Sequence, residues 1–290
     1  MQNSTCLACN SSNIHDTGHK INGKFPLCHC PDCGLSFLDI RPEDEQSADF
    51  DNYWGDVNEY IYTHPDTIAE LSEKYDRYFS MLDDAPNRRL LDVGSGSGIC
   101  VNTAKQHGFE PKGIEPSERG VEIARSQFDV DVESGLLSKD DALPRNYGVL
   151  TLWDVIEHVH DPEDMARTCA AHLETGGYFV LETPDEGAFI RSVIRGLSRL
   201  GSVLDLRKNM YYRAHRTYFT CEAMKLLLER SGFTDVRFYK ERTMYGKAIL
   251  KQKLHHKVSG LKEMALRTTY WFLKNLPLTQ NKMIVIARKV

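Results

Sequence analysis

The sequence has no apolar run approaching the ~20 residues that a membrane-spanning helix needs. Its opening residues, with Asn3, Ser4, Cys6 and Cys9, form no secretory hydrophobic segment. The first absence argues against a helical membrane protein, and the second makes disulfides the weaker use of cysteine, so the chain reads as cytoplasmic. No internal repeat or low-complexity tract is found, and 41% hydrophobic residues is an ordinary share for a globular fold. With 290 residues there is room for one large α/β domain and a small appendage.

A strong charge of one sign is also missing, since the net charge is -5, but the charge is unevenly spread. Residues 185–290 hold 22 Lys and Arg against 8 Asp and Glu, whereas residues 1–184 hold 14 against 33. The basic part suits an anionic acceptor, a phospholipid surface or nucleic acid; it equally complements the acidic part within the fold or in a dimer.

Five of the eight cysteines fall in residues 1–35. Cys6-x2-Cys9 and Cys30-x2-Cys33 have the spacing at which two tight turns bring four thiolates around a tetrahedral zinc. Cys28, His29, His15 and His19 are spare donors, Cys28 being the alternative to Cys30, and a reduced cluster or redox pair is the other reading. A four-thiolate site leaves no open position, so it holds the fold and does no chemistry. The ribbon is assigned to 1–40. A polar, acidic connection with Pro42 follows over 41–63, ending in Tyr53, Trp54, Tyr60 and Tyr62. These aromatics either pack a helix beginning near Pro65 onto the core or lie over a cleft as a lid. The main domain is 64–290, with basic helical insertions at about 186–209 and 247–276. The first carries Phe189, Ile190, Val193, Ile194, Leu197 and Leu200 as a stripe beside Arg191, Arg195 and Arg199, suited to covering the cleft or to an anionic membrane surface.

Within the main domain, Leu90, Leu91 and Val93 around Asp92 predict a buried strand. Gly94, Gly96 and Gly98 then predict a turn without side chains, and a helix runs on to Gly108. Strand, glycine turn and helix place amide N–H groups at the mouth of a sheet. The dinucleotide fingerprint G-x-G-x-x-G is absent, because position 99 is Ile99. Glu115 ends the next strand, about 20 residues past the first glycine, where a carboxylate can accept ribose hydroxyls. Ser117 caps a helix to Phe128, and Val130–Glu133 is a third strand. Val149–Trp153 is a fourth strand running into Asp154-Val155-Ile156-Glu157-His158-Val159. Asp161 then caps a helix that Pro162 opens and Gly176-Gly177 ends. Tyr178–Thr183 and Met283–Ala287 are further strands, and Thr220 caps a helix stopped at Gly232.

Asp92-x-Gly94-x-Gly96-x-Gly98 resembles motif I of the class I S-adenosylmethionine (SAM)-dependent methyltransferases. The D-x-x-E-H-V element at 154–159, followed by Asp161-Pro162, resembles their small-molecule branch, including the O-methyltransferases of ubiquinone biosynthesis. The resemblance implies an α/β, doubly wound, mostly parallel seven-stranded Rossmann-like sheet with its last strand antiparallel. It further implies that SAM lies with its methionyl part on Gly94, Ser95, Gly96 and Gly98, its ribose on Glu115 and its adenine against Leu136. Asp92 would fix the loop, and Trp153 and Asp154 would border methionine and acceptor. His158 is the candidate base and His215 the second. Asp154, Glu157 and His158 match a set associated in relatives with a divalent cation, here Mg²⁺, and read equally as an ordinary helix start. A zinc ribbon ahead of such a domain resembles bacterial proteins that methylate sugars or secondary metabolites. The expected activity is methylation of a hydroxyl on a small, anionic or phosphate-linked acceptor. The alternatives are a quinone or lipid acceptor at a membrane surface, RNA, and SAM binding without catalysis. RNA is the weaker partner, because Asp154-Val155-Ile156-Glu157 stands where many base amino-methylating enzymes carry an N/D-P-P-F/Y loop.

Overall fold

Short apolar stretches punctuated by glycine become strands in the computed structural model, which describes residues 4–40, 56–139, 142–198, 211, 214–243 and 280–290. Tyr53, Trp54, Arg199, Leu200 and the 247–276 insertion lie outside the described residues, as do the side chains of Ile194, Arg195 and Leu197.

The cysteine-rich segment forms β1 (His15–Ile21), β2 (Phe25–His29) and β3 (Ser36–Leu38), paired antiparallel. Asn22 and Gly23, both at positive φ, turn β1 into β2. Helices α1 (Asp56–Thr63) and α2 (Pro65–Phe79) follow, the second buried through Leu71, Tyr75 and Phe79. The main sheet is then wound from β4 (Arg89–Val93), α3 (Ile99–Gln106), β5 (Glu110–Glu115), α4 (Glu118–Phe128), β6 (Val132–Ser134), β7 (Tyr147–Trp153), α5 (Pro162–His172) and β8 (Leu173–Pro184). The chain continues through α6 (Phe189–Ser198), β9 (Thr217–Tyr218), α7 (Cys221–Arg230), β10 (Phe233–Glu241) and β11 (Lys282–Lys289).

The seven-stranded order is β10-β11-β8-β7-β4-β5-β6, with β11 antiparallel to both neighbours and the pairs from β8 to β6 parallel. The winding reverses between β4 and β7, so a crevice opens at their carboxyl ends, where ligands of such sheets bind. Alternation along the strands divides the core. Leu91, Val93, Leu150, Leu152 and Phe179 face α5 and α7, and Leu90, Val149 and Val180 face α2 and α3.

Local chemistry sets the helix ends. The side chains of Ser117, Asp161 and Thr220 accept from the amides of Gly120, Asp164 and Ala223 at 3.1, 2.9 and 3.1 Å. Two boundaries differ from expectation. The third strand is shorter and later, Val132–Ser134. Helix α5 ends at His172, and the chain enters β8 at once. Gly176, at φ 78°, instead lies in a bulge between the Tyr147–Leu173 and Val149–Tyr178 pairs, and its carbonyl accepts from Arg288 at 2.9 Å.

The cysteine-rich segment is joined to the main domain by a shared sheet of order β1-β2-β3-β9. Ser36 pairs with Tyr218 and Phe37 with Thr217. Ile21, Phe25, Leu27, Leu38 and Ile40 complete their small core with Tyr211 and Tyr218, while Phe37 joins the large one. Burial of each such side chain is worth about 1.5–3 kcal/mol.

Candidate active site

Asp92, under the glycine turn, accepts from the Thr151 hydroxyl at 2.5 Å, and burial pushes its carboxyl up to about 7. Its Oδ2 is buried without a hydrogen-bond partner among the described residues. Gly94, Gly96 and Gly98 take φ of 71°, 53° and 78°. A Cβ on Gly94 would stand 2.6 Å from Val155 Cγ2 and one on Gly98 2.8 Å from Ala124 Cβ, so two of these glycines are required by space as well as by backbone. Glu115 is clamped by amides: Gly96 donates to Oε2 at 2.8 Å and Ser117 to Oε1 at 3.1 Å. The acid therefore ties the turn to β5. Ser95 is buried, and Leu136, after β6, is 63% exposed.

At the end of β7 the Trp153 ring packs on Tyr75 at 4.5 Å, and its N–H donates to Cys100 Sγ at 3.0 Å. Asp154 adopts a left-handed φ of 56°, a conformation that costs about 1 kcal/mol or more outside glycine. Its amide donates to the Glu182 carbonyl at 3.0 Å, and its carboxylate pairs with Lys282. Lys282 also reaches Glu182 at 3.2 Å, which Lys74 holds from α2. Burial alone would raise the Asp154 carboxyl; the Lys282 and Lys74 ammoniums hold it below its usual value.

Glu157 is fully buried, and its Oε2 accepts from Thr183 at 3.0 Å. Its Oε1 has no hydrogen-bond partner among the described residues and lies 3.9 Å from His215 Nε2. Burial and the neighbouring Asp154 raise the Glu157 carboxyl well above the carboxylate range. His158 packs edge-on to His215 at 4.6 Å between ring centroids. His158 Nδ1 donates to the Ala214 carbonyl at 2.7 Å. A carbonyl only accepts, so this imidazole carries its proton on Nδ1 and leaves the Nε2 lone pair open. Loss of hydration lowers the pKa of both histidines, exposed His158 and buried His215, that of His215 to about 2.

A family model described as a methyltransferase domain matches residues 59–237. The chain belongs to that family. The ubiquinone biosynthesis O-methyltransferase of Bordetella avium is 34% identical over 105 residues, which cover 33% of this chain and 42% of that protein. The Coxiella burnetii enzyme of the same name is 27% identical over 117 residues, covering 37% and 48%. The chain thus spans less than half the length of the curated relatives it matches. Phosphoethanolamine N-methyltransferase 2 of Haemonchus contortus, solved with SAM, superposes with a TM-score of 0.56 at 16% identity, over 85% of this chain and 61% of that one. A SAM-dependent methyltransferase of Archaeoglobus fulgidus superposes with 0.51 at 17% identity, over 77% and 94%. The fold is that of the class I SAM-dependent methyltransferases.

In this member of the methyltransferase-domain family Asp92, Gly94, Ser95, Gly96, Gly98 and Glu115 gather at the carboxyl ends of β4 and β5, with Trp153 at the end of β7 and Asp154 and His158 in the loop that follows it. Asp154 does not converge with Glu157 and His158, because Lys282 takes its carboxylate; the donor atoms that come together, within 4.8 Å of one another, belong to Glu157, His158 and His215. A carboxylate with two imidazoles does not fit Mg²⁺, which prefers oxygen ligands.

The Sγ atoms of Cys6, Cys9, Cys30 and Cys33 also lie within 4.8 Å of one another, with Cys6–Cys33 at 3.5 Å and Cys9–Cys30 at 3.7 Å. Tetrahedral zinc with ~2.3 Å bonds sets such edges at about 3.8 Å, so the group fits the metal. Backbone amides of Ala8 and Cys9 point at Cys6, and those of Asp32 and Cys33 at Cys30. Cys28 stands outside the group, in β2, where burial pushes its thiol up to about 11.

Sequence reasoning missed Lys74, Glu182 and Lys282. A glutamate in the apolar run Val180-Leu181-Glu182 and a lysine opening Met283–Ile286 were the available signals. Arg191, expected on a helix suited to covering the cleft or to an anionic membrane surface, is bound to Glu186 at 2.7 Å and lies over the rings of Tyr211 and Tyr218.

Proposed function

We propose that this protein methylates a hydroxyl of a small anionic or phosphate-linked acceptor, such as a nucleotide-activated sugar, with SAM as donor and His158 as the base. The fixed Nδ1–H of His158 carries this reading, because it presents a neutral Nε2 at the end of β7, on the acceptor side of the crevice. When bound, SAM supplies an electrophilic methyl group on a sulfonium.

The chain's own task is to align the acceptor oxygen with that carbon and to accept its proton. The glycine turn and Glu115 hold the donor, Asp92 Oδ2 offers an acceptor for its ammonium directly or through water, Leu136 covers the adenine, and Trp153 and Asp154 form the wall. His158 takes the proton at Nε2. His215, kept neutral by burial, orients and shields rather than exchanging protons. Cys6, Cys9, Cys30 and Cys33 hold a structural zinc, and residues 1–40 form the ribbon of a methyltransferase domain occupying 64–290.

A quinone-like lipid hydroxyl is the second reading, supported by the names of the curated relatives. The test gives purified protein and radiolabelled SAM to a cell extract divided into nucleotide-sugar, lipid and RNA fractions. Label in the nucleotide-sugar fraction is expected. Label in lipid would replace the acceptor by the second reading, and label in RNA would overturn both.

A further inference from the structure

We infer that the cysteine ribbon is a positioning element of the active site: it holds the Ala214 carbonyl that dictates which nitrogen of His158 carries the proton. The inference rests on the proposed zinc ribbon and on His158 as base.

Every step of the connection is a short contact. The segment 214–220 lies between the ribbon and the loop after β7. On one side the Arg216 amide donates to the Glu157 carbonyl at 2.8 Å, next to His158 itself. On the other, the Arg216 carbonyl accepts from the Leu38 amide at 2.8 Å, and Phe37 pairs with Thr217. The Thr220 hydroxyl donates to the carbonyl of Cys33 at 2.6 Å while capping α7. Approach there is close enough that a Cβ on Gly34 would meet Thr220 Cγ2 at 2.8 Å. The contact that ends at the His158 ring thus begins at the backbone of a cysteine in the four-thiolate group.

The chemical consequence is specific. An imidazole in water can carry its proton on either nitrogen, and only the Nδ1–H form leaves Nε2 able to accept from an acceptor hydroxyl. If Ala214 moves away, His158 remains in place but is no longer confined to the useful tautomer. A structural metal in the ribbon would then govern proton transfer without touching substrate, and donor binding at the glycine turn would be indifferent to it.

The experiment uses the full chain with ¹⁵N-labelled histidine at pH 8, the His158 ring signal being assigned with His158→Gln. Zinc is measured by elemental analysis and SAM affinity by calorimetry. The zinc-loaded protein is expected to show the Nδ1–H pattern for His158. Chelation is expected to shift it to a mixture of tautomers while SAM affinity changes less than about twofold.

Thr220→Asp provides a second arm should metal-free protein unfold: aspartate still caps α7 but cannot donate to the Cys33 carbonyl. This variant is expected to keep its zinc and lose the pure Nδ1–H pattern, whereas Thr220→Ser retains it. An unchanged His158 pattern in Thr220→Asp overturns the inference, as does a loss of SAM affinity parallel to the loss of pattern. Absence of zinc from the purified protein would sink the metal reading alone, the Thr220 variants still deciding whether the ribbon positions His158.

Discussion

The two sides of the crevice are built differently. The side proposed for the donor comes from consecutive chain: Asp92, the glycine turn and Glu115 lie within 24 residues and are bound mainly through backbone. The side proposed for the acceptor draws on Cys33–Leu38, Asp154–His158, Glu182–Thr183, Ala214–Thr220 and Lys282, brought together by side-chain ion pairs and one borrowed strand. A donor common to a whole family can be met by a compact motif, whereas an acceptor particular to one enzyme needs a surface assembled from many places.

If the sides are as separate as this, single changes should damage one and spare the other. His158→Gln is expected to lower the methyl-transfer rate about 10²- to 10⁴-fold, with SAM affinity unchanged by calorimetry. Equal losses in both would merge the two sides. Lys282→Met leaves Asp154 and Glu182 short of a buried cation and is expected to cost about 3–5 kcal/mol, read by urea unfolding. Gly96→Val forces a β-branched residue to a φ of 53° and is expected to weaken SAM binding about 100-fold while the far-ultraviolet spectrum stays native.

A further effect concerns acid. The pKa of His215 falls from 6.5 to about 2 on folding, so the unfolded chain takes the proton first. Stability from this group is complete above 6.5 and is lost as pH falls toward 2, by at most about 1.4 kcal/mol per pH unit. His215→Phe should flatten that part of the unfolding-versus-pH curve. An unaltered slope would mean that the ring is not buried neutral.

The same division explains what could be read in advance. Motif I, Glu115 and the caps at Ser117, Asp161 and Thr220 are local, since each partner lies a few residues away or on the next strand, so spacing alone located them. Asp154 was visible as a residue, but its commitment to Lys282, 128 positions away, was not, and so it was grouped with Glu157 and His158, from which Lys282 draws it away. Gly176 and Gly177 read as a helix stop because a glycine pair looks alike before a loop and within a bulge, and only pairing with β7 distinguishes them. Nothing in the sequence of the Ala214 segment announces that its carbonyl fixes an imidazole.

The seam between β3 and β9 bears on how this protein can be cut. A fragment beginning after residue 40 would keep every element of motif I, yet leave the β9 backbone without its partner strand and Tyr211 and Tyr218 stripped of their apolar cover. Unpaired strand edges beside bare aromatics recruit other chains. Truncation would therefore trade a monomolecular pairing for an intermolecular one, and an insoluble or self-associating fragment would record the loss of that strand rather than a defect in the catalytic domain.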